Sequence, residues 1–297
     1  MCILVILLKL ANQIQMGNIT LINRTLRPFN KTVQIEGDKS LSIRWALIAS
    51  QAVGTSSATN ILRSDDVLST LNCLRKLGVK VKLFKNKCII NGLGINGYKF
   101  KKKITLDAGN SGTLGRLIIG LLIHSKNKIT IIGDKSLSKR DFSRITKPLK
   151  KFGAKIYSNK GKLPVVIEGT ENPKPIKYIE NKGSAQCKTS IMLASLNTEG
   201  TTIIKAKKSR NHTELLFKYL KLPIRVTRKK NYDLIKIDGK KKINAFNYKI
   251  PSDISSGAFF IVLTALLKKS KIKIKNVNIN PSRIGVINVL KLMGVKI

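Results

Sequence analysis

The chain has 297 residues, enough for one large or two ordinary domains, and its hydrophobic content of 42% excludes an intrinsically disordered protein. The formal net charge of +42 is typical of proteins that bind nucleic acid, membrane surfaces or small anions. Aromatic residues reach only 5% and the lysines are scattered, which disfavours a base-stacking surface. Biased composition explains most of the charge, and an anionic small-molecule site explains the rest.

The sequence shows no sign of a metal site or a disulfide framework. The two histidines are isolated, and the four cysteines lie far apart without a C-x-x-C pair: Cys2, Cys73, Cys88 and Cys187. This pattern fits a reducing cytoplasm. The apolar stretch 2–8 is too short to span a membrane and lacks the features of a signal peptide, so we expect no membrane association. Met16 is an alternative start.

The first strong pattern in chain order is a glycine turn between a strand, 32–36, and a helix, 41–53. The turn reads Gly-Asp-Lys-Ser over 37–40, which places Lys39, Ser40 and Arg44 at or near the first helical turn. Free backbone N–H groups at a helix start favour an anion, and an arginine can hold a phosphate or carboxylate with two hydrogen bonds. A capped helix with two solvated basic residues is the plainer alternative for one such turn.

A short phrase of the type Leu-Lys-Lys-Leu-Gly-Val-Lys-Val recurs at intervals of roughly 70 residues. It occupies 74–81, 149–156, 219–226 and 290–297, and the third copy has proline in place of glycine. Each copy predicts the end of an amphipathic helix, a stop and then a strand. A second short strand that ends in glycine follows the first three copies, at 89–92, 166–169 and 235–239.

Two helices are predicted in each repeat: 41–53 and 65–77, 111–124 and 141–152, 184–196 and 212–220, and 254–268 and 283–293. Strands precede later helices at 104–106, 129–132, 201–204 and 272–276. The sequence therefore predicts an α/β protein of repeated βαβαββ units, which cannot bury their apolar faces singly. The fourth unit lacks its final strand pair, so we expect a fragment of a longer protein.

The later helix starts resemble the first one. They read Asp-Ala-Gly-Asn-Ser-Gly-Thr over 107–113 with Arg116 one turn on, Gly-Asp-Lys-Ser-Leu-Ser-Lys-Arg over 133–140, Gly-Ser-Ala-Gln over 183–186, Ser-Arg-Asn-His-Thr-Glu over 209–214 and Pro-Ser-Asp-Ile-Ser-Ser over 251–256. Each one alone fits an ordinary N-cap, and His212 is expected to be a surface or packing residue. Together they predict one large site for two small anions, although no Walker loop or dinucleotide fingerprint occurs.

These motifs, in this order, resemble the 5-enolpyruvylshikimate-3-phosphate synthase family over residues 32–297. The resemblance implies the inside-out α/β barrel of the enolpyruvyl transferases, with two domains of three βαβαββ units each. Residues 1–36 would then be an N-terminal segment of an incomplete domain, and 37–250 a complete three-unit domain with the substrate-binding helix starts. Residues 251–297 would form the first, truncated unit of the other domain.

The resemblance also implies a reaction and its ligands. The enolpyruvyl group of phosphoenolpyruvate would move to the 5-hydroxyl of shikimate 3-phosphate by addition and elimination, with release of phosphate, in the shikimate pathway to aromatic amino acids. It implies a cytoplasmic monomer without metal or organic cofactor. The implied shikimate 3-phosphate ligands are Lys39, Ser40, Arg44, Ser184, Ala185, Gln186 and Arg210. The implied phosphoenolpyruvate ligands are Lys39, Asn110, Gly112, Arg116, Arg140 and Gln186.

No catalytic acid or base is assigned, because the family's base aspartate, its Lys–Glu pair and its late arginines are expected beyond residue 297. We therefore expect the chain alone to be inactive. Departures from the family pattern are Ile43, Trp45, Asp141, Asn211, Ser252 and Ile254, and Asp141 could compete for the Arg140 guanidinium. Gly112 keeps the small residue of the phosphoenolpyruvate site, which makes glyphosate sensitivity a hypothesis.

Two alternatives stay open at this point. One is the sister enolpyruvyl transferase that acts on UDP-N-acetylglucosamine. It would be expected to carry a cysteine near 109–116, where this chain has none, and the Ser-Ala-Gln motif at 184–186 favours the shikimate branch. The other is a non-catalytic, basic nucleic-acid-binding protein, which the net charge supports and the scarce aromatics disfavour.

Overall fold

A computed structural model describes residues 26–297. The strands are β1 (Asn30–Gln34), β2 (Val53–Thr59), β3 (Lys80–Leu83), β4 (Lys87–Leu93), β5 (Lys103–Asp107), β6 (Lys128–Ile132), β7 (Lys155–Asn159), β8 (Lys162–Glu168), β9 (Lys177–Glu180), β10 (Thr201–Lys207), β11 (Ile224–Arg228), β12 (Tyr232–Asp238), β13 (Asn247–Lys249) and β14 (Lys271–Lys275). The helices are α1 (Lys39–Ser50), α2 (Asp65–Lys76), α3 (Gly112–Leu122), α4 (Lys135–Ser138), α5 (Ser143–Lys150), α6 (Ala185–Leu196), α7 (His212–Tyr219), α8 (Ile254–Leu266) and α9 (Gly285–Leu292).

Three four-stranded sheets follow one plan. Their strand orders are β13-β2-β4-β3, β5-β6-β8-β7 and β9-β10-β12-β11. In each sheet the first two strands are parallel, and the remaining pairs are antiparallel. A parallel pair needs a crossover helix, whereas an antiparallel pair needs only a tight turn. This difference produces the βαβαββ order that the sequence repeat predicts.

The strand predicted ahead of the first helix belongs to a different sheet. It is β1, which pairs in parallel with β14 from the far end of the chain, with Val33 opposite Ile274. Its place beside β2 is taken by β13, with Tyr248 opposite Ala58. Sequence order alone could not show this exchange, because both pairings join segments that are far apart in the chain.

Two predicted elements differ from the structure. The helix predicted over 141–152 is shorter, Ser143–Lys150, and the one-turn helix α4 precedes it. The strand predicted after Gly294 does not form, and residues 295–297 have no strand partner within the described residues. A strand depends on hydrogen bonds to a neighbouring strand, so a suitable sequence alone does not produce one.

The core is built around α1, α3 and α6, which are buried along almost their whole length. Helices that are buried on all sides lack the single apolar stripe of a surface helix. Glycine lets two of them approach closely, because a Cβ on Gly120 of α3 would overlap the carbonyl oxygen of Ser190 on α6. In the fourth unit, by contrast, large apolar side chains of α8 and α9 are exposed, including Phe259 at 80% and Leu292 at 89%.

Three cysteines of the described residues, Cys73, Cys88 and Cys187, are buried free thiols. Burial raises the pKa of Cys73 and of Cys88 to about 12, so these thiols are inert at neutral pH. Cys2 lies outside the described residues. Within 26–297 there is no group of three or more His, Cys, Asp or Glu side chains suited to a metal ion. None of the helices in this range combines the length and the apolar character that a membrane crossing requires.

The close approach of α3 and α6 predicts the effect of a single methyl group. Gly120→Ala should lower the free energy of unfolding by about 1–3 kcal/mol, the usual cost of overpacking, because the two helices must separate. Gly285→Ala is the matched control, since a Cβ at that helical glycine would have nothing within 4 Å. It should be neutral or slightly stabilising. Urea unfolding measures both, and equal stability of the two variants would contradict the prediction.

Candidate functional site

The start of α1 is fixed by a buried aspartate. Asp38 is the N-cap residue, and its Oδ1 accepts a hydrogen bond of 3.0 Å from Leu41 N. Lys39, at the first helical position, places its Nζ 3.0 Å from the Asp66 carboxylate, and its backbone N donates to Asp253 Oδ2 at 3.4 Å. The cap and first turn thus agree with the predicted helix start, but the Lys39 ammonium is paired with a carboxylate of the chain.

Arg44 lies on α1 one turn further on and is almost fully buried. Its Nε donates to Thr213 Oγ1 at 2.8 Å, its Nη2 to Thr189 Oγ1 at 3.3 Å and its Nη1 to Ser40 O at 3.0 Å. Burial lowers the pKa of Arg44 to about 10, against the raising effect of Glu214, so the guanidinium is charged at neutral pH. Since a guanidinium has five N–H donors, two remain for an anion.

A second group forms at the start of α3. A Cβ on Gly112 would lie 3.0 Å from both Arg116 Nη1 and Arg140 Nη1, so both guanidinium groups face the bare Cα of this glycine. Arg116 Nη1 donates to Gln186 Oε1 at 2.9 Å, and its guanidinium stacks 5.0 Å from the centre of the Phe142 ring. Burial lowers the pKa of Arg116, and Arg140 lowers it further. These three predicted residues therefore come together as one basic pocket.

The carboxylates near this basic pocket are turned to other partners. Asp134 caps α4 and accepts a hydrogen bond of 2.5 Å from Asn110 Nδ2. Asp141 Oδ1 accepts from Ser143 N at 2.7 Å. Asp141 does not form an ion pair with Arg140 within the described residues, so the expected competition is absent. Asn110 supports the loop through Asp134 rather than facing the arginines.

The start of α6 is linked to the group at the start of α3. Ser184 caps the helix, with its Oγ accepting from Cys187 N at 3.2 Å. Gln186 accepts from Arg116 through Oε1 and donates through Nε2 to Thr113 Oγ1 at 3.1 Å. One side chain thus bridges the α3 start and the α6 start, as close packing of helix N-termini allows.

A cleft of about 910 Å³ opens beside the α6 start. Its lining includes the predicted residues Ser184, Ala185, Gln186 and Arg210. Sequence reasoning missed the other basic lining residues, which are Arg144, Lys182, Lys208 and Arg228. They stand outside the helix-start motifs, and only the packing of neighbouring units brings them to one wall. Lys39, Ser40 and Arg44 do not line this cleft, although Arg210 is close enough to lower the pKa of Arg44.

The fourth unit contributes a wall of the cleft with Asn280, Pro281 and Ser282. Asn211 meets this wall, since its Oδ1 accepts from Asn280 Nδ2 at 2.8 Å and from Ser282 Oγ at 3.4 Å. Asn211, one of the departures from the family pattern, is therefore held by an amide donor and a hydroxyl donor of the fourth unit. Arg283, which sequence reasoning also missed, donates to Asp253 Oδ1 at 3.3 Å on the same unit.

The remaining departures are structural. Ile43 and Trp45 are fully buried in α1 and pack in the core. Ser252 is buried too, and its Oγ donates to Ile35 O at 2.6 Å, which ties the segment before α8 to the end of β1. Ile254 is a buried residue at the start of α8. None of these four lines the cleft.

His212 is a packing residue, as one of the two alternatives for it predicted. It is 3% exposed, and its Nε2 lies 4.0 Å from Asp38 Oδ2 without a hydrogen bond. Burial lowers the pKa of His212 to about 3, with further lowering from Arg44, Arg283 and Arg210. The imidazole is therefore neutral at physiological pH and adds no charge to this group of arginines.

These observations define the class of protein: repeated βαβαββ units that gather arginines at helix N-termini and form a basic cleft beside one of them. The family model of EPSP synthase (3-phosphoshikimate 1-carboxyvinyltransferase) matches residues 24–297. The chain belongs to the EPSP synthase family, and the predicted family is confirmed.

Relatives and solved structures agree with this assignment. The chain is 43% identical over 263 residues to the 3-phosphoshikimate 1-carboxyvinyltransferase of Ruthia magnifica, a match that covers 88% of the chain and 59% of the relative. It is 38% identical over 268 residues to that of Bacillus subtilis, with 89% and 61% covered. The EPSP synthase structure from Acinetobacter baumannii matches with a TM-score of 0.82 and 38% identity, over 90% of this chain and 60% of that one.

The structural match confirms the predicted inside-out α/β fold of the family. The chain spans about three fifths of the length of the curated relatives that it matches. The division into domains at 36/37 and 250/251 is not tested by these comparisons and stays a prediction.

The buried His212 and the half-buried His124 predict how the free energy of unfolding changes with pH. The pKa of His124 is lowered to about 4 and that of His212 to about 3, mainly by burial, from an ordinary value of 6.5. The unfolded chain therefore binds more protons below pH 6.5, and the free energy of unfolding falls on acidification. Each histidine contributes a slope of up to about 1.4 kcal/mol per pH unit between roughly pH 6 and pH 5.

His212→Gln should remove one of these two contributions, and His124→Gln the other. Urea unfolding at several pH values measures the slopes. Above pH 7 the dependence on pH should be the same in both variants and the unsubstituted chain. If His212→Gln kept the full slope of unfolding free energy against pH below pH 6.5, the conclusion that His212 is buried as a neutral imidazole would be wrong.

Proposed function

We propose that this chain binds shikimate 3-phosphate and phosphoenolpyruvate for enolpyruvyl transfer with release of phosphate. The observation that carries the proposal is the bridge made by Gln186. This side chain joins the basic pocket of Gly112, Arg116 and Arg140 to the α6 start that lines the cleft. Two anion sites that share one polar side chain can hold two anions side by side, as a transfer between them requires.

We assign shikimate 3-phosphate to the cleft. Ser184 and Ala185 present helix N-terminal backbone to it, and Arg210 supplies charge from the third unit. Lys39, Ser40 and Arg44 do not line the cleft itself, and we assign them to the same ligand as contacts from the neighbouring start of α1. Arg44 keeps two N–H donors for a phosphate or carboxylate. The further basic residues of the cleft favour a doubly charged phosphate over a neutral sugar.

We assign phosphoenolpyruvate to the basic pocket at the α3 start. Gly112 has no Cβ, so the guanidinium groups of Arg116 and Arg140 can both lie close to its Cα. Asn110 holds the loop through Asp134. In the proposed reaction the 5-hydroxyl loses its proton as its oxygen bonds to C2 of phosphoenolpyruvate, and C3 takes a proton. Loss of a proton from C3 and cleavage of the bond between C2 and the phosphate oxygen then release phosphate.

The part of this reaction that we assign to the described residues is binding and orientation. Charge-assisted hydrogen bonds hold two anions together that would repel each other in water. We assign no general acid or base to residues 26–297. A monomeric, cytoplasmic protein remains part of the proposal, supported by the free thiols of Cys73, Cys88 and Cys187.

Ligand titration tests the proposal, with the fluorescence of Trp45 as the signal. Trp45 is the single tryptophan of the chain and follows Arg44 directly. Shikimate 3-phosphate should change the signal saturably, whereas UDP-N-acetylglucosamine should not. Arg44→Gln should weaken binding by about 10–100-fold, the scale of a lost charge-assisted contact. Arg225→Gln, a surface arginine paired with Asp238, should bind normally. Equal affinity for both ligands would contradict the shikimate assignment.

The variant Gly112→Ala tests whether the two ligands bind at the two different places assigned to them. A methyl group at this position would lie 3.0 Å from one guanidinium nitrogen of Arg116 and one of Arg140, in the space assigned to phosphoenolpyruvate. We expect phosphoenolpyruvate binding in the presence of shikimate 3-phosphate to weaken on the order of tenfold, with shikimate 3-phosphate binding unchanged. Gly115→Ala on the same helix is the matched control, because its Cβ would meet ordinary contacts at 3.4 Å. An equal loss of affinity for both ligands would contradict the assignment of phosphoenolpyruvate to the basic pocket.

A further inference from the structure

A buried ion pair lies beside Arg44 and outside the binding residues assigned above. Lys188 Nζ on α6 and Glu214 Oε1 on α7 are 2.6 Å apart, and their side chains are 0% and 5% exposed. The two atoms are not aligned for a hydrogen bond, and neither oxygen of Glu214 has another hydrogen-bond partner within the described residues. Lys188 is therefore the only cation within 4.0 Å of this carboxylate among residues 26–297.

Arg44 contacts the immediate neighbours of both members of the pair. Its Nε donates to Thr213, which precedes Glu214, and its Nη2 donates to Thr189, which follows Lys188. The two threonine hydroxyls are themselves 2.7 Å apart. Arg44 thus has hydroxyl and carbonyl partners but no carboxylate within 4.0 Å in the described part of the chain.

The charges of these three buried side chains do not cancel. Arg44 and Lys188 carry one positive charge each, and Glu214 carries one negative charge. Glu214 is the strongest electrostatic support of the Arg44 charge, ahead of Asp38, while Arg210 opposes it. A buried charge without a partner is costly, so such a set favours an anion brought from outside.

A carboxylate this close to a buried arginine would ordinarily pair with it. A direct Arg44–Glu214 pair would leave the guanidinium neutralised and its remaining donors occupied. We propose that Lys188 is a positioning residue that holds Glu214 away from Arg44, so that Arg44 keeps its charge for the anionic substrate. The inference rests on the proposed function, because it takes Arg44 as a ligand of that substrate.

The test is a set of titrations with shikimate 3-phosphate and with inorganic phosphate. Lys188→Met removes the positive charge and leaves Glu214 free to pair with Arg44, so both probes should bind more weakly by about tenfold or more at an effective dielectric of roughly 20. Glu214→Gln, a near isostere, should bind as tightly as the unsubstituted chain or more tightly. The double variant restores a single uncompensated charge on Arg44 and should bind within about threefold of the unsubstituted chain.

Thermal unfolding separates this role from a purely structural one. Each single substitution breaks a buried pair and should lower Tm, whereas binding should fall only in Lys188→Met. Binding that is lowered equally in both single variants, or that is not restored in the double variant, overturns the inference. If Lys188→Met does not fold, the result for Glu214→Gln decides. Weaker binding by Glu214→Gln, or its failure to fold, then overturns the inference. If the unsubstituted chain binds neither probe, the proposed function itself fails.

Discussion

The buried carboxylate of Asp38 is the interaction on which the geometry of the site depends. A buried carboxylate is tolerated only when donors surround it, and here they come from different parts of the chain. Leu41 N donates to one carboxylate oxygen of Asp38 at 3.0 Å, and Asn278 Nδ2 donates to the other at 3.1 Å. The backbone N of Asp38 donates to Pro251 O at 2.8 Å. The start of α1 is thereby fixed to the fourth unit and to the segment between the third and fourth units. The direction of α1, and with it the position of Arg44, follows from these bonds.

The site keeps positive charge that the fold does not neutralise. Arg44 is stabilised by neutral hydroxyl and carbonyl groups, and the pocket carboxylate Asp141 is turned to the backbone rather than to Arg140. His212 stays neutral, which prevents a further charge beside Arg44. An arrangement of this kind lowers the stability of the empty protein, and an anion that binds the folded state recovers that loss. In the proposed function, preorganised charge of this type lets two mutually repelling anions share one site.

Features that depend on a few consecutive residues could be predicted from the sequence, and features that depend on distant residues could not. The helix starts at Ser184 and Gly112 follow from a cap, small residues and an apolar run, which are local signals. The contact of Arg44 with Thr189 and Thr213 joins three helices from two repeats, and no local sequence pattern predicts it. The pairing of Lys39 with Asp66 and of β1 with β14 is equally remote in sequence.

The same distinction explains why the large net charge says little about function. Most lysines are exposed, and at physiological ionic strength their fields decay over a Debye length of about 8 Å. The arginines of the helix starts are different in kind, because Arg44 is buried and Arg116 is half-buried against Phe142. Screening is weak there, and each guanidinium is held in one orientation by its neighbours. The repeat is responsible for this fixed orientation, since successive βαβαββ units bring helix N-termini from distant segments close to one cleft. Composition contributes only a general attraction for anions.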